Sequence, residues 1–461
     1  MIKIAFIGAG SIVFGENLLT DIFTFPALRN ETLICLEDID THRLDLIYRL
    51  MEKYKELYPE LLEGINFMKT TNLEEAITDA KYIINTIHVG GLEAFKIDLD
   101  IPLKYGVSQC VGDTIGPGGV FRFLRNAPVM KEIIDLMKEI GYKSDKNIER
   151  AILLNYTNPM AMLTWYCNIL YPNSTIGLCH GVQHTASMLQ RWLNVSPENF
   201  SFLCAGINHM AWFLQLKYRN PNEKDSNWKN AYPRLKQLYE DNPNMIGGEL
   251  LRWDMFEATG YFMTESTGHL SEYLPYYRKR KDLLEKYKGA DGSYDSLLHG
   301  ASYEMHCWEA SVMERKFKRK LNKKSLLLKR NPSGEYAPPI MNARETGKLF
   351  RFNGNVINKG GGLIINLPKE CCVEVPIYVD YSGFHPQGGI QLPTVCQALC
   401  MSNIMVQKAA IEGLLNLDKE LIYQAVLLDP NTASICSPKE VREMVDEMFD
   451  AEKQWISYFD I

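Results

Sequence analysis

The first half of the chain repeats one pattern: a short apolar run that stops abruptly at glycine or polar residues, then a stretch with helical spacing. Ile4-Ala5-Phe6-Ile7 stops at Gly8, Leu33-Ile34-Cys35-Leu36 at Glu37-Asp38, Tyr82-Ile83-Ile84-Asn85 shortly before His88, and Ala151-Ile152-Leu153-Leu154 at Asn155. Runs this short and apolar on both faces read as buried parallel strands. Between them, Asp40 to Tyr58 puts Leu44, Ile47 and Leu50 or Met51 on one helical face, and Ala127 to Ile140 repeats this through Val129, Ile133, Ile134 and Met137. Asp40 itself suits a helix N-cap. A further run, Thr175-Ile176-Gly177-Leu178, delivers Cys179 and His180 to the same edge as the other polar ends. The expected fold is α/β, with an N-terminal Rossmann-like, doubly wound parallel sheet whose carboxyl edge binds ligands.

The chain has 461 residues, 46% hydrophobic and 23% charged, enough for a large core and too long for one typical domain. Past Asn194 the pattern changes. Lys217 to Asn230 is polar and loop-like, Arg278 to Lys288 is a charged, solvated stretch, and Glu314 to Lys324 is a basic run that reads as surface. Gly360 to Pro368 and Val373 to Val379 read as strands, and Leu399 to Leu415 and Pro438 to Tyr458 as closing helices. Residues 195–461 are therefore expected to form a C-terminal α+β domain.

A formal charge of -6 supplies no basic field to attract nucleic acid or an anionic membrane, so the expected partner is a small molecule. Eleven irregularly spaced cysteines do not make a disulfide framework. The N-terminus has no signal-peptide pattern, and no run of about 18 apolar residues occurs. The expected location is cytoplasmic.

Three local patterns carry chemistry. Gly8, Gly10 and Ser11 follow the first strand, where a tight turn lets backbone approach a pyrophosphate at a helix N-terminus. The usual third glycine position holds Val13, with Gly15 the nearest substitute. Asp38, ending the second strand, is placed for the ribose hydroxyls, and its charge disfavours NADP relative to NAD. Residues 1–194 are thus expected to be an NAD-binding domain. Cys179 at a strand end and His209 in a Gly-Ile-Asn-His turn offer a thiolate and an imidazole, leaving coordination positions open as a catalytic metal requires. His180 faces away from Cys179 in an extended chain and is a candidate acid–base group, a satisfied core histidine being the alternative. His88, His184, His269 and His306 are further histidines able to approach such a site.

Gly112-Asp113-Thr114-Ile115-Gly116-Pro117-Gly118-Gly119, Leu154-Asn155-Tyr156-Thr157-Asn158-Pro159-Met160, Gly177-Leu178-Cys179-His180 and Cys204-Ala205-Gly206-Ile207-Asn208-His209-Met210 resemble, in order, the successive signatures of glycoside hydrolase family 4. Asn366-Leu367-Pro368 and Val373-Glu374-Val375-Pro376 continue the resemblance, which is nearest the melibiase-type α-galactosidases. It implies a glycosidase that departs from the usual carboxylate pair: NAD oxidises C3 of the sugar, a base removes the C2 proton, the C1 oxygen is eliminated, water adds, and the hydride returns. A metal, usually Mn2+, would chelate the C2 and C3 oxygens. By position, the resemblance implies Cys179 and His209 as metal ligands, Asn158 as a sugar-hydroxyl ligand, His180 as the acid, and Tyr273 as the C2 base with Glu265 as its rival. Arg122 is a candidate for contact with a substrate hydroxyl or carboxylate, or for a structural ion pair. A homodimer or homotetramer is expected.

His180 argues against a 6-phosphoglycoside. Gly181 departs from the serine usual in α-galactosidases, which leaves an α-glucuronidase or α-galacturonidase as the second reading. A lactate- or malate-type dehydrogenase and a non-catalytic NAD sensor are more distant alternatives.

Overall fold

In the computed structural model, which describes residues 1–11, 15–144, 149–220, 227–287, 297–328 and 332–459, the strand–helix repeat becomes one side of a continuous sheet. β1 (Ile2–Ile7), β2 (Thr32–Glu37), β3 (Ile65–Thr70), β4 (Tyr82–Asn85), β5 (Ile152–Asn155) and β6 (Thr175–Gly177) pair in parallel in the order 3-2-1-4-5-6. This is the doubly wound order expected for a dinucleotide fold, with its switch point between β1 and β4. Residues 4–7 of β1 and all of β4 are buried, as strands covered by helices on both faces must be. Val13 lies outside the described residues.

The sheet does not stop at β6. β7 (Phe200–Ile207), β8 (Met210–Tyr218), β9 (Lys229–Asn230), β10 (Phe350–Ile357), β11 (Cys372–Asp380) and β12 (Gly383–Pro386) extend it in antiparallel pairs. β10 joins β6 at Asn355 opposite Gly177, β11 follows β10, and β7 follows β11. The order therefore crosses the expected domain boundary without a gap. β7 turns into β8 through Asn208 and His209.

The helix of residues Thr41–Leu57 begins where the sequence placed it, with the Asp40 carboxylate accepting from the His42 and Arg43 N–H groups at 3.0 Å each. Replacing Asp40 by alanine should cost about 1 kcal/mol, read as a shift in the urea midpoint at constant slope. The helix Gly116–Glu139 starts well before the apolar periodicity does. Its first turns are glycine because they press on backbone: a Cβ on Gly118 would lie 2.4 Å from the Gly112 carbonyl oxygen.

Three expectations about the second half are corrected. Gly360 to Pro368 is a folded loop, not a strand; the Asn358 side chain organises it, accepting from Leu363 and Ile364 N–H and donating to the Ile364 and Pro368 carbonyls. The strand lies instead at β10, where Asn353, Gly354 and Asn355 interrupt the apolar pattern although all three are buried. Arg278 is buried rather than solvated, donating to the Ser108 carbonyl at 2.7 Å and the Ser271 hydroxyl at 2.9 Å; Lys288 lies outside the described residues. The end of the polar stretch is paired, Lys217 and Tyr218 of β8 standing opposite Asn230 and Lys229, while residues 221–226 lie outside the described residues.

Helices Thr394–Asn416, Lys419–Leu428, Pro430–Ala433 and Pro438–Ile456 close the chain, two more than the sequence indicated. The last is tied to the sheet domain by fully buried Arg125, which bonds both Asp98 and Glu452. All eleven cysteines are free. Among the described residues no helix is long and apolar enough to cross a membrane.

Candidate active site

The carboxyl edge of the sheet carries two adjacent constellations. At the first, Gly8 has φ 75°, and a Cβ there would lie 3.0 Å from the Thr86 carbonyl carbon, so the turn needs glycine on both counts. Asp38 faces it: one carboxylate oxygen accepts from Gly10 N–H and the other from Asp40 N–H, each at 2.8 Å. Burial pushes the Asp38 carboxyl up, and these two N–H donors oppose the shift. Ser11 closes the turn, donating its N–H to the Gly8 carbonyl at 3.0 Å. Strand, glycine turn, acidic end of β2 and following helix thus meet as a dinucleotide site requires.

At the second, Cys179, His209 and Glu265 bring a thiol sulfur, an imidazole nitrogen and a carboxylate oxygen within 4.8 Å of one another. His209 Nε2 is 3.5 Å from Glu265 Oε2. Cys179 follows β6; His209 sits in the two-residue turn between β7 and β8 with φ 62°, a conformation non-glycine residues seldom adopt. Glu265 is anchored by Ser266 N–H on its other oxygen at 2.9 Å. The three groups come from sites far apart in sequence.

Electrostatics suit this trio to a cation. Burial holds His209 neutral, down to about 4, so that an imidazole lone pair is free. Burial pushes the Cys179 thiol well up, neighbouring Glu265 and Glu374 push it further, and the Gly181 N–H and Asn208 oppose them; a cation would favour the thiolate more strongly. Burial would also raise Glu265, but the neighbouring histidines and the Ser266 N–H hold it below its ordinary value. A thiolate, an imidazole and a carboxylate form a plausible set for a divalent transition metal, so the residues present fit one.

Tyr273 lies directly behind this cluster. Its hydroxyl is 2.9 Å from His209 Nδ1 and 2.9 Å from His269 Nδ1. Burial pushes the phenol well above its ordinary range, with Glu265 and Asp113 adding to the effect. Asn158 donates its amide to Asp113 at 2.9 Å and leaves Oδ1 buried without a hydrogen-bond partner among the described residues. Arg122 donates Nε to the Asn158 carbonyl at 3.2 Å. Although burial favours the neutral acid, Arg122, His269, Asn158 and Thr114 together hold the Asp113 carboxyl well below the usual carboxylate range.

Two family models match the chain: family 4 glycosyl hydrolase over residues 3–195, and the family 4 glycosyl hydrolase C-terminal domain over residues 204–432. The chain belongs to glycosyl hydrolase family 4. Across its whole length it is similar to the α-galactosidase of Rhizobium meliloti (strain 1021), with 38% identity over 99% of this chain and 89% of that one. The α-galactosidase of Bacillus subtilis (strain 168) is 36% identical over 99% of each. In fold it resembles the 6-phospho-β-glucosidase of Thermotoga maritima solved with manganese, NAD+ and glucose-6-phosphate: TM-score 0.75 at 19% identity, covering 98% of this chain and 99% of that one.

In this family 4 glycosidase, His180 stands outside the donor trio. Its Nδ1 is 3.6 Å from Glu335 Oε1, and its ring lies 4.7 Å from that of His184. The neighbouring Glu335 carboxylate raises the His180 pKa against the opposing effect of burial. Gly181 abuts the trio, since a Cβ there would lie 3.3 Å from Glu265 Oε2 and 3.6 Å from Cys179 Sγ. Of the other histidines, only His269 joins the cluster. His88 and His306 pack on Phe95, at ring separations of 5.9 and 5.7 Å.

The sequence named Glu265 only as a rival base and His269 only as one of four further histidines able to approach the site, and gave Asp113 and Glu335 no role. Asp113 stands inside the Gly112-Asp113-Thr114 signature and was open to notice there. His269 had a weaker signal, falling one helical turn before Tyr273. Glu335 had none, lying in an unpatterned segment.

Proposed function

We propose that this chain is a glycosidase that cleaves terminal α-galactosides with NAD and a divalent metal such as Mn2+. The observation that carries the reading is the Cys179–His209–Glu265 trio, placed beside Tyr273 at the carboxyl edge of a dinucleotide-type sheet. The full-length likeness to two α-galactosidases favours the galactoside among the family's sugars. Residues 1–194 would form the NAD-binding domain, with Gly8, Gly10, Ser11 and Asp38 on the cofactor, and residues 195–461 the C-terminal substrate domain.

Bound at these two places, NAD supplies a hydride acceptor and the metal a Lewis acid for sugar oxygens. Cys179, His209 and Glu265 hold the cation. Because Nε2 of His209 faces the trio, its ring proton belongs on Nδ1 and is donated to the Tyr273 oxygen. That bond favours the phenolate, and His269 Nδ1 stands 2.9 Å from the same oxygen. Tyr273 is thus the C2 base, and Glu265 is a ligand. The unpartnered Oδ1 of Asn158 and the ionised Asp113 accept sugar hydroxyls, while Arg122 holds both in place. His180, whose pKa the Glu335 carboxylate raises, delivers a proton to the leaving oxygen.

The test is a panel of α-galactoside, α-glucoside, α-glucuronide and α-galacturonide assayed with NAD, Mn2+ and a reductant. The α-galactoside should be cleaved fastest, without net NADH. Full activity after both NAD and metal are stripped would overturn the mechanism. Preference for a uronide would move the assignment to the α-glucuronidase or α-galacturonidase reading, which Gly181 keeps in play. NADH accumulating with a hydroxy acid would indicate a dehydrogenase.

A further inference from the structure

Glu335 stands beside His180 on a short strap, residues 333–337, that is held at both ends by side chains from elsewhere in the chain. At its start, Ser333 donates its N–H to both carboxylate oxygens of Asp21, at 2.9 Å each, and its hydroxyl to Asp21 Oδ2. Next to it, the Gly334 carbonyl accepts from the Gln183 amide at 2.7 Å. At its end, Ala337 donates its N–H to the Tyr156 hydroxyl at 3.0 Å. Glu335 lies between these anchors, with Oε1 3.6 Å from His180 Nδ1.

The anchors belong to three parts that the proposed reaction must hold in register. Asp21 is on the helix Gly15–Ile22, whose first N–H donates to the Ser11 carbonyl of the dinucleotide turn at 3.2 Å. Tyr156 belongs to the same Asn155-Tyr156-Thr157-Asn158 run as the sugar-binding Asn158. Gln183 is in the first turn of the helix Gly181–Leu193, for which His180 is the N-cap residue. Asp21 is the informative member. It is fully buried and stands in the last turn of its helix, where burial and the helix dipole both disfavour a negative charge. The Ser333 donors offset that cost, and they tie the strap to the cofactor helix.

We infer that Asp21 is a positioning residue for the leaving-group proton: through Ser333 it fixes the strap that presents Glu335 to His180, and so sets the acid in register with the cofactor helix. The inference rests on the glycosidase reading and on His180 as the acid. When the C1–O bond breaks, the departing oxygen keeps the bonding pair and takes the His180 proton, help worth about 100- to 10,000-fold. The benefit depends on placement, since a displacement of about 1 Å can cost about 100-fold. An oxygen that leaves as a stable anion, such as p-nitrophenolate, needs no proton. A misplaced acid therefore slows an alkyl galactoside selectively, whereas a general loosening of the fold slows both.

The test compares kcat/KM for methyl and p-nitrophenyl α-galactoside in the NAD- and Mn2+-loaded enzyme and in Asp21→Ala, Asp21→Asn, Glu335→Gln and the double variant Asp21→Asn/Glu335→Gln. Methyl α-galactoside should lose about tenfold more than p-nitrophenyl α-galactoside in Asp21→Asn, which keeps the side-chain shape and carries the test where Asp21→Ala does not fold. In the double variant the ratio of the two substrates should equal that of Glu335→Gln alone, because Asp21 acts through Glu335. Equal losses on the two substrates in Asp21→Asn would overturn the assignment and leave Asp21 a part of the scaffold only. So would selective losses that add in the double variant. Glu335→Gln with equal losses on both substrates refutes His180 and Glu335 as the acid pair, and the inference with it. Wild-type enzyme that cleaves neither galactoside refutes the α-galactosidase reading as well.

Discussion

Cys179→Ser is expected to lose tight Mn2+ binding and, with it, about a thousandfold or more in kcat/KM, equivalent to about 4 kcal/mol of transition-state stabilisation. The sulfur is one of only three protein donors in the cluster, and a serine hydroxyl is both a poorer ligand and far harder to deprotonate. The environment sharpens the effect. Burial already disfavours an anion at this position and Glu265 adds its negative charge, so a bound cation would do most to favour ionisation. Metal content and activity should fall together while NAD binding, measured by titration, stays in place. A variant with wild-type metal affinity and rate would return Cys179 to the ordinary role of a buried apolar side chain.

Tyr273→Phe is expected to leave metal binding intact and lower kcat by about 100- to 10,000-fold, the usual contribution of a positioned base. Removing the hydroxyl deletes the partner of both His209 Nδ1 and His269 Nδ1 without touching the three donor atoms. Product formed in D2O by the wild type should carry deuterium at C2, and the residual product of the variant should show its exchange slowed in step with turnover. Glu265→Gln separates the rival assignment: as a ligand, Glu265 should weaken Mn2+ binding when neutralised, which Tyr273→Phe does not. Unchanged Mn2+ affinity in Glu265→Gln with exchange abolished would reverse the two roles.

The parts of the site that were legible in the sequence share one property. Gly8, Gly10, Asp38, Cys179 and His209 each stand where an apolar run ends, and a strand end is a local event that periodicity records. The Asp40 cap was legible for the same reason, its donors being the N–H groups of its own next turn. The errors share a property too. β10 was missed because Asn353 and Asn355 are buried, and what makes a buried asparagine tolerable is a partner elsewhere in the chain: Asn353 donates to the Cys204 carbonyl at 2.9 Å. Arg278 was read as solvated because its acceptors, Ser108 and Ser271, cannot be inferred from its neighbours in sequence.

By itself, then, the sequence determined the parallel sheet, the edge at which polar residues collect, and the thiol–imidazole pair together with the family resemblance that gives it a context. Only the tertiary structure decided that Glu265 stands with Cys179 and His209, that Tyr273 hydrogen-bonds His209, and that Arg122 bonds the Asn158 carbonyl. The reason is geometric. Alternation and helical spacing specify which way a side chain faces and where a strand stops, but which loops share an edge depends on sheet order. Here β6 and β7 are consecutive strands in the chain, yet β10 and β11, more than 140 residues later, pair between them.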